Sequence, residues 1–160
     1  MEHTTETRTP DTHDADTRRL GWWWAGGLAI VASVVANLAI LGVGTLADAS
    51  FVVVDNGDPA DVDVAAVLFA SIVPLAAGFV VAALLDRWRP GLVRPIGIVV
   101  AALAVVSVAG PFAADTDTGT AVALAVMHLV VGAAYLGGIE AARHRAPAAG
   151  VPGSLARPAA

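Results

Sequence analysis

The chain has 160 residues, of which 57% are hydrophobic and 14% charged, with a mean hydropathy of +0.73 and a net charge of −5. That leaves too little polar surface to coat a water-soluble domain, and the apolar residues gather into blocks, as they do in bilayer-spanning helices. The absence of cysteine excludes disulfides, thiolate metal sites and cysteine nucleophiles, and the few arginines, with no lysine, do not make a nucleic-acid surface.

Residues 1–19, MEHTTETRTPDTHDADTRR, are polar and of mixed charge, and read as a disordered tail. Acidic residues there spoil the basic start of a signal peptide, so the apolar run that follows is expected to be an uncleaved anchor. Four blocks without Asp, Glu, Lys or Arg come next, at about 21–47, 64–85, 95–114 and 118–139. Each reaches roughly the 20 residues that cross the hydrocarbon core, and a charge at its middle would cost a few kcal/mol. The predicted fold is an all-α, four-helix transmembrane bundle over residues 20–142 with short loops. Pro95 suits the first turn of the third helix, and Pro111 marks that helix's frayed end. Asp115 to Thr118 supply N-cap oxygens for the fourth. Residues 143–160, rich in Pro, Ala and Gly, read as a flexible tail.

Arginine placement predicts orientation. Arg18 and Arg19 precede the first span, Arg87, Arg89 and Arg94 separate the second from the third, and Arg143 and Arg145 follow the fourth. The other two connections are acidic: DASFVVVDNGDPADVD at 48–63 and DTDTGT at 115–120. By the positive-inside rule both termini are expected in the cytoplasm of a cell-membrane protein, with Trp22, Trp23, Trp24 and Trp88 at the inner interface.

Topology converts position into depth. Counting 1.5 Å per residue puts His128 roughly 10 Å below the outer surface, Asn37 at roughly 10–15 Å, Ser71 at about 11 Å and Ser107 somewhat shallower. Hydrocarbon offers no hydrogen bonds, so these side chains are expected to turn inward and form one polar layer, centred on an Asn37–His128 contact with Ser71 and Ser107 nearby. Ser33 and Tyr135 lie deeper, where a second polar layer would form. The main reading of His128 is interhelical glue; the alternative is a proton or solute pathway. Haem ligation would need a second buried histidine, and His3, His13 and His144 all lie outside the spans, so no cofactor is expected.

Small residues recur every fourth position along the second helix (Ala66, Ala70, Pro74, Gly78, Ala82) and the first (Ala25, Ala29, Ser33, Asn37), as close helix approach requires. Such stripes serve packing within the chain, a homo-oligomer or a membrane-protein partner equally well. Pro74 removes a hydrogen bond to Ala70 and is expected to kink the second helix. The aspartates of 48–63 do not have the spacing of a calcium loop, and no phosphate loop, HExxH or serine–histidine–aspartate set is present. With no catalytic or metal constellation, the expected function is that of a non-enzymatic accessory or interaction protein in the lipid bilayer; the alternative is a small transporter or channel subunit.

An arginine pair, tryptophans and a first span with a buried asparagine (RRLGWWWAGGLAIVASVVANLAI), with MHLVVGAA in the last span, resemble a family of prokaryotic four-span membrane proteins, mainly actinobacterial, defined as a domain of unknown function. The resemblance covers roughly residues 18–142 and implies the four-span fold without an activity. Small multidrug exporters, by contrast, need a membrane-embedded glutamate in the first span, and this chain has none.

Overall fold

In a computed structural model of the chain, residues 12–55 and 57–144 are described. They form α1 (Thr12–Leu46), the strands β1 (Val52–Asp55) and β2 (Asp58–Asp61), α2 (Val64–Trp88), a 3-10 turn at Pro90–Leu92, α3 (Val93–Ser107), a short α4 (Ala109–Ala113) and α5 (Thr118–His144). Four segments are long and apolar enough to cross a membrane: Gly21–Leu46, Val64–Trp88, Pro90–Ala113 and Thr118–His144. The chain is thus an all-α, multi-pass membrane bundle. Because α1 starts at Thr12, it takes in residues 12–19, which composition had assigned to a disordered tail. Most of the flexible tail expected at 143–160 lies outside the described residues.

Two departures from the sequence expectation have local causes. The third span is divided, with α3 ending at Ser107 and α4 resuming at Ala109. Pro111 has no N–H to give the carbonyl of Ser107, four residues back, and its ring crowds that carbonyl. Val108 instead bonds back to Val105 in a 3-10 step at 3.2 Å, and keeps helical angles, so the span steps rather than turns. The acidic connection 48–63, expected to be a loop, contains an antiparallel hairpin in which Asp55 pairs with Asp58 and Val52 with Asp61. The sequence around the turn is Asp-Asn-Gly-Asp, and Gly57 has φ +94, which a two-residue hairpin turn requires and glycine adopts without penalty.

The bundle is organised around α5, which packs along both α1 and α3, while α2 lies mainly against α1 and touches α3 sparsely. Small residues set that arrangement. A Cβ at Gly132 would lie 2.7 Å from Cβ of Ala104 on α3. One at Gly138 would overlap the ring of Phe79 and lie 2.9 Å from Cβ of Ala29 on α1. Gly137, next in the chain, faces open space. The α1 stripe of Ala25, Ala29, Ser33 and Asn37 is buried along its whole length. The α2 stripe is not: Ala82 is buried, but Ala70 and Pro74 are exposed. Its periodicity of four drifts off the packing face of a helix with 3.6 residues per turn. Pro74 sits inside a helix that runs on without interruption.

Two apolar clusters result. One gathers Trp22, Leu75, Phe79, Val93, Tyr135 and Ile139 toward the basic end, and the other packs Phe51, Val67, Ala123 and Met127 at the acidic end. Because overpacking a close helix contact costs about 1–3 kcal/mol, Gly138→Ala is expected to lower the melting temperature in detergent, whereas Gly137→Ala leaves it unchanged or slightly raised. Equal melting of the two variants would contradict the close approach of α1 and α5.

Candidate functional site

Buried polar side chains in the spans are few, and the structure sorts them differently from the sequence. Asn37 and Ser71 do meet, the Asn37 amide Nδ2 donating to Ser71 Oγ at 2.9 Å. Both are buried, 2% and 1% exposed, at a level between the two apolar clusters, where they tie α1 to α2. His128 is not their partner. Its Nδ1 lies 2.7 Å from the carbonyl of Leu124, one turn back on the same helix. A carbonyl only accepts, so Nδ1 carries the hydrogen of this bond. Its own backbone supplies the acceptor instead of a neighbouring helix. The ring is only half-buried.

Ser107 is also outside the layer. It is exposed, and its hydroxyl donates to the carbonyl of Ala104 at 2.7 Å within α3. The expected second layer does not join either. Tyr135 donates its hydroxyl to the carbonyl of Gly78 at 3.3 Å, bridging α5 to α2, and its ring meets Phe79 with centroids 5.4 Å apart. Ser33 Oγ is fully buried with no hydrogen-bond partner among the described residues, as is Asn37 Oδ1 one turn away. Each such orphan costs about 1–3 kcal/mol. The α1 stripe therefore carries two buried polar atoms without partners among the described residues.

At the acidic end the N-cap expected from Asp115 to Thr118 is present, supplied by Asp117, but sequence reasoning missed the polar cluster built on it. Asp117 caps α5: Oδ1 accepts from the amide of Thr120 at 2.9 Å, and Oδ2 accepts from the Thr120 hydroxyl at 2.5 Å. The same Oδ2 takes both the amide and the hydroxyl of Ser50, at 3.1 and 2.5 Å, so one carboxylate ties the α1–β1 connection to the start of α5. Thr120 Oγ1 in turn accepts from the amide of Phe51 at 2.8 Å. Phe51 has φ +51, a left-handed conformation that a bulky residue adopts only when its surroundings hold it. Here the Thr120 bond and burial of the ring hold it. The hairpin completes the cap, with Val54 N–H donating to Asp115 O at 3.0 Å and Thr116 Oγ1 to Val52 O at 2.6 Å. The signal available was the Asp-x-x-Thr spacing at 117–120, which offers an N-cap but does not name Ser50 as its second client.

At the basic end the Trp22 indole donates to Asp86 at 3.1 Å, and Glu140 pairs with Arg94 at 3.2 Å and Arg143 at 3.8 Å, linking α3 to α5. No group of three metal-ligating side chains occurs among the described residues. An apolar cleft of about 540 Å³ lies between the acidic-end halves of α1 and α5, with Val43, Gly44, Gly119 and Val122 among its lining.

Two measurements follow from this geometry. A double-mutant cycle on Asn37→Ala and Ser71→Ala is expected to give a coupling of roughly 0.6–1.7 kcal/mol, the range for polar contacts in membranes. The cycle of Asn37→Ala with His128→Ala should give none. Hydrogen bonds from Ser50 and Thr120 hold the Asp117 carboxyl well below the usual carboxylate range. A folded value below the unfolded one means the cap contributes fully above the ordinary carboxylate pKa and fades as pH falls through that range toward the folded value. Wild type and Asp117→Asn should thus differ in melting temperature by a constant amount at neutral pH, and the gap should narrow only in strong acid. A gap that closes near pH 6 would contradict the cap.

The chain belongs to a family of unknown function, DUF6069, whose model matches residues 17–145. No curated protein and no solved structure matches it.

Proposed function

We propose that this chain is a non-enzymatic membrane bundle of the plasma membrane, with both termini in the cytoplasm, acting as an accessory to another membrane protein. The observation that carries the reading is how its buried polar groups are spent. Asn37 with Ser71, Tyr135 with Gly78 and Trp22 with Asp86 each join one helix to another, which is the work of a scaffold. The exposed part of the α2 stripe, Ala70 and Pro74, supports association with a second membrane helix, because small residues let backbones approach in lipid. The orientation rests on arginines at one end and aspartates at the other.

A second reading, a small transporter or channel subunit, is favoured by one feature: the spans hold an unpartnered Asn37 Oδ1 and a His128 ring bonded only to its own helix among the described residues. Reconstituted protein separates the two. A scaffold gives no proton or ion flux above empty liposomes, and His128→Ala changes neither flux nor fold. Flux that vanishes in folded His128→Ala would establish the transport reading. For orientation, Asp58→Cys in this cysteine-free chain is expected to react with an impermeant maleimide from outside intact cells. Labelling only after lysis would reverse the topology.

A further inference from the structure

The basic end has a surface that the scaffold reading leaves unused. Arg87, Trp88 and Arg89 are all exposed at the end of α2, and the turn that begins at Pro90 follows them directly. Trp88 is 76% exposed, and Trp23 and Trp24 on α1 are 70% and 66% exposed. The bond from Trp22 to Asp86 sets these tryptophans at the same level as the arginines, since each partner is the immediate chain neighbour of one group. Of the carboxylates whose side chains are described at this end, Asp86 is engaged by the indole and Glu140 by Arg94 and Arg143. Among the residues whose side chains are described, 21–54 and 57–144, Arg87 and Arg89 have no carboxylate within ion-pair distance. What remains is a pair of exposed guanidinium groups, unpaired among those side chains, flanking an exposed indole, with two further exposed indoles on α1.

We propose that this rim is a binding surface for the headgroup of an anionic phospholipid, Arg87 and Arg89 holding the phosphate while Trp88 lies among the glycerol and upper acyl carbons. Guanidinium matches phosphate geometrically, and indole prefers the membrane–water boundary. A soluble anion would have no use for the exposed indoles, so the lipid is the source that fits all three side chains. The surface works the same way whichever side of the membrane the basic end faces, so it stands apart from the orientation proposed above.

The test uses the full chain in detergent micelles doped with equal amounts of phosphatidylglycerol and phosphatidylcholine of matched acyl chains, with retained lipids counted by native mass spectrometry. Wild type is expected to retain phosphatidylglycerol preferentially. The Arg87→Gln/Arg89→Gln variant should lose about fivefold of that preference per arginine, with retention of phosphatidylcholine unchanged. The Arg87→Lys/Arg89→Lys variant, which keeps the charge, should recover most of it, and its recovery excludes misfolding as the cause. No preference in wild type, or an equal preference in the glutamine variant, would overturn the proposal. So would displacement of the lipid by millimolar inorganic phosphate, which would assign the arginines to a free anion.

Discussion

How near α5 lets its neighbours come is the constraint from which the bundle follows. In lipid there is no hydrophobic force between helices, so association depends on van der Waals contact and on polar groups that hydrocarbon will not hydrate. Gly132 admits Ala104 of α3 on one side, and Gly138 admits Ala29 of α1 and the ring of Phe79 on the other. With α1 and α3 drawn to different faces of α5, α2 is left to pack mainly on α1, and its contact with α3 is slight. The bond from Asn37 to Ser71 and that from Tyr135 to Gly78 then secure α2 to α1 and α5.

The two ends of the bundle are finished by different chemistry. At the acidic end, the Asp117 carboxylate collects four donors from Ser50 and Thr120, and Thr120 holds Phe51 in a strained backbone so that its ring closes the apolar cluster beneath. At the basic end, ion pairing joins α3 to α5 through Glu140, and indoles ring the helices. The interior between these ends is tight but not fully satisfied: Ser33 Oγ and Asn37 Oδ1 lie one turn apart without partners among the described residues.

The four spans and the small-residue face of α1 were legible in the sequence, because the cost of charge in hydrocarbon writes itself as charge-free windows; the helices run past those windows into charged residues at Asp86, Arg94 and Glu140. Asn37 with Ser71 was legible as a shared depth. His128 was not, because depth says nothing about azimuth or about a helix's own carbonyls, and Leu124 O, one turn back, is its partner. Ser107 failed likewise, its hydroxyl turning back to Ala104. The hairpin carried a sequence signal in Asp-Asn-Gly-Asp that the surrounding aspartates obscured. The role of Ser50 had none, since it depends on where a distant helix begins.

Disulfide trapping in native membranes reads the position of α5, and the chain's lack of cysteine gives it no background. Under mild oxidation, Ala104→Cys with Gly132→Cys should cross-link α3 to α5 rapidly, while Gly27→Cys with Gly137→Cys, both at positions facing open space, should not. Equal rates for the two pairs, or trapping of the second alone, would mean that α5 does not stand between α1 and α3.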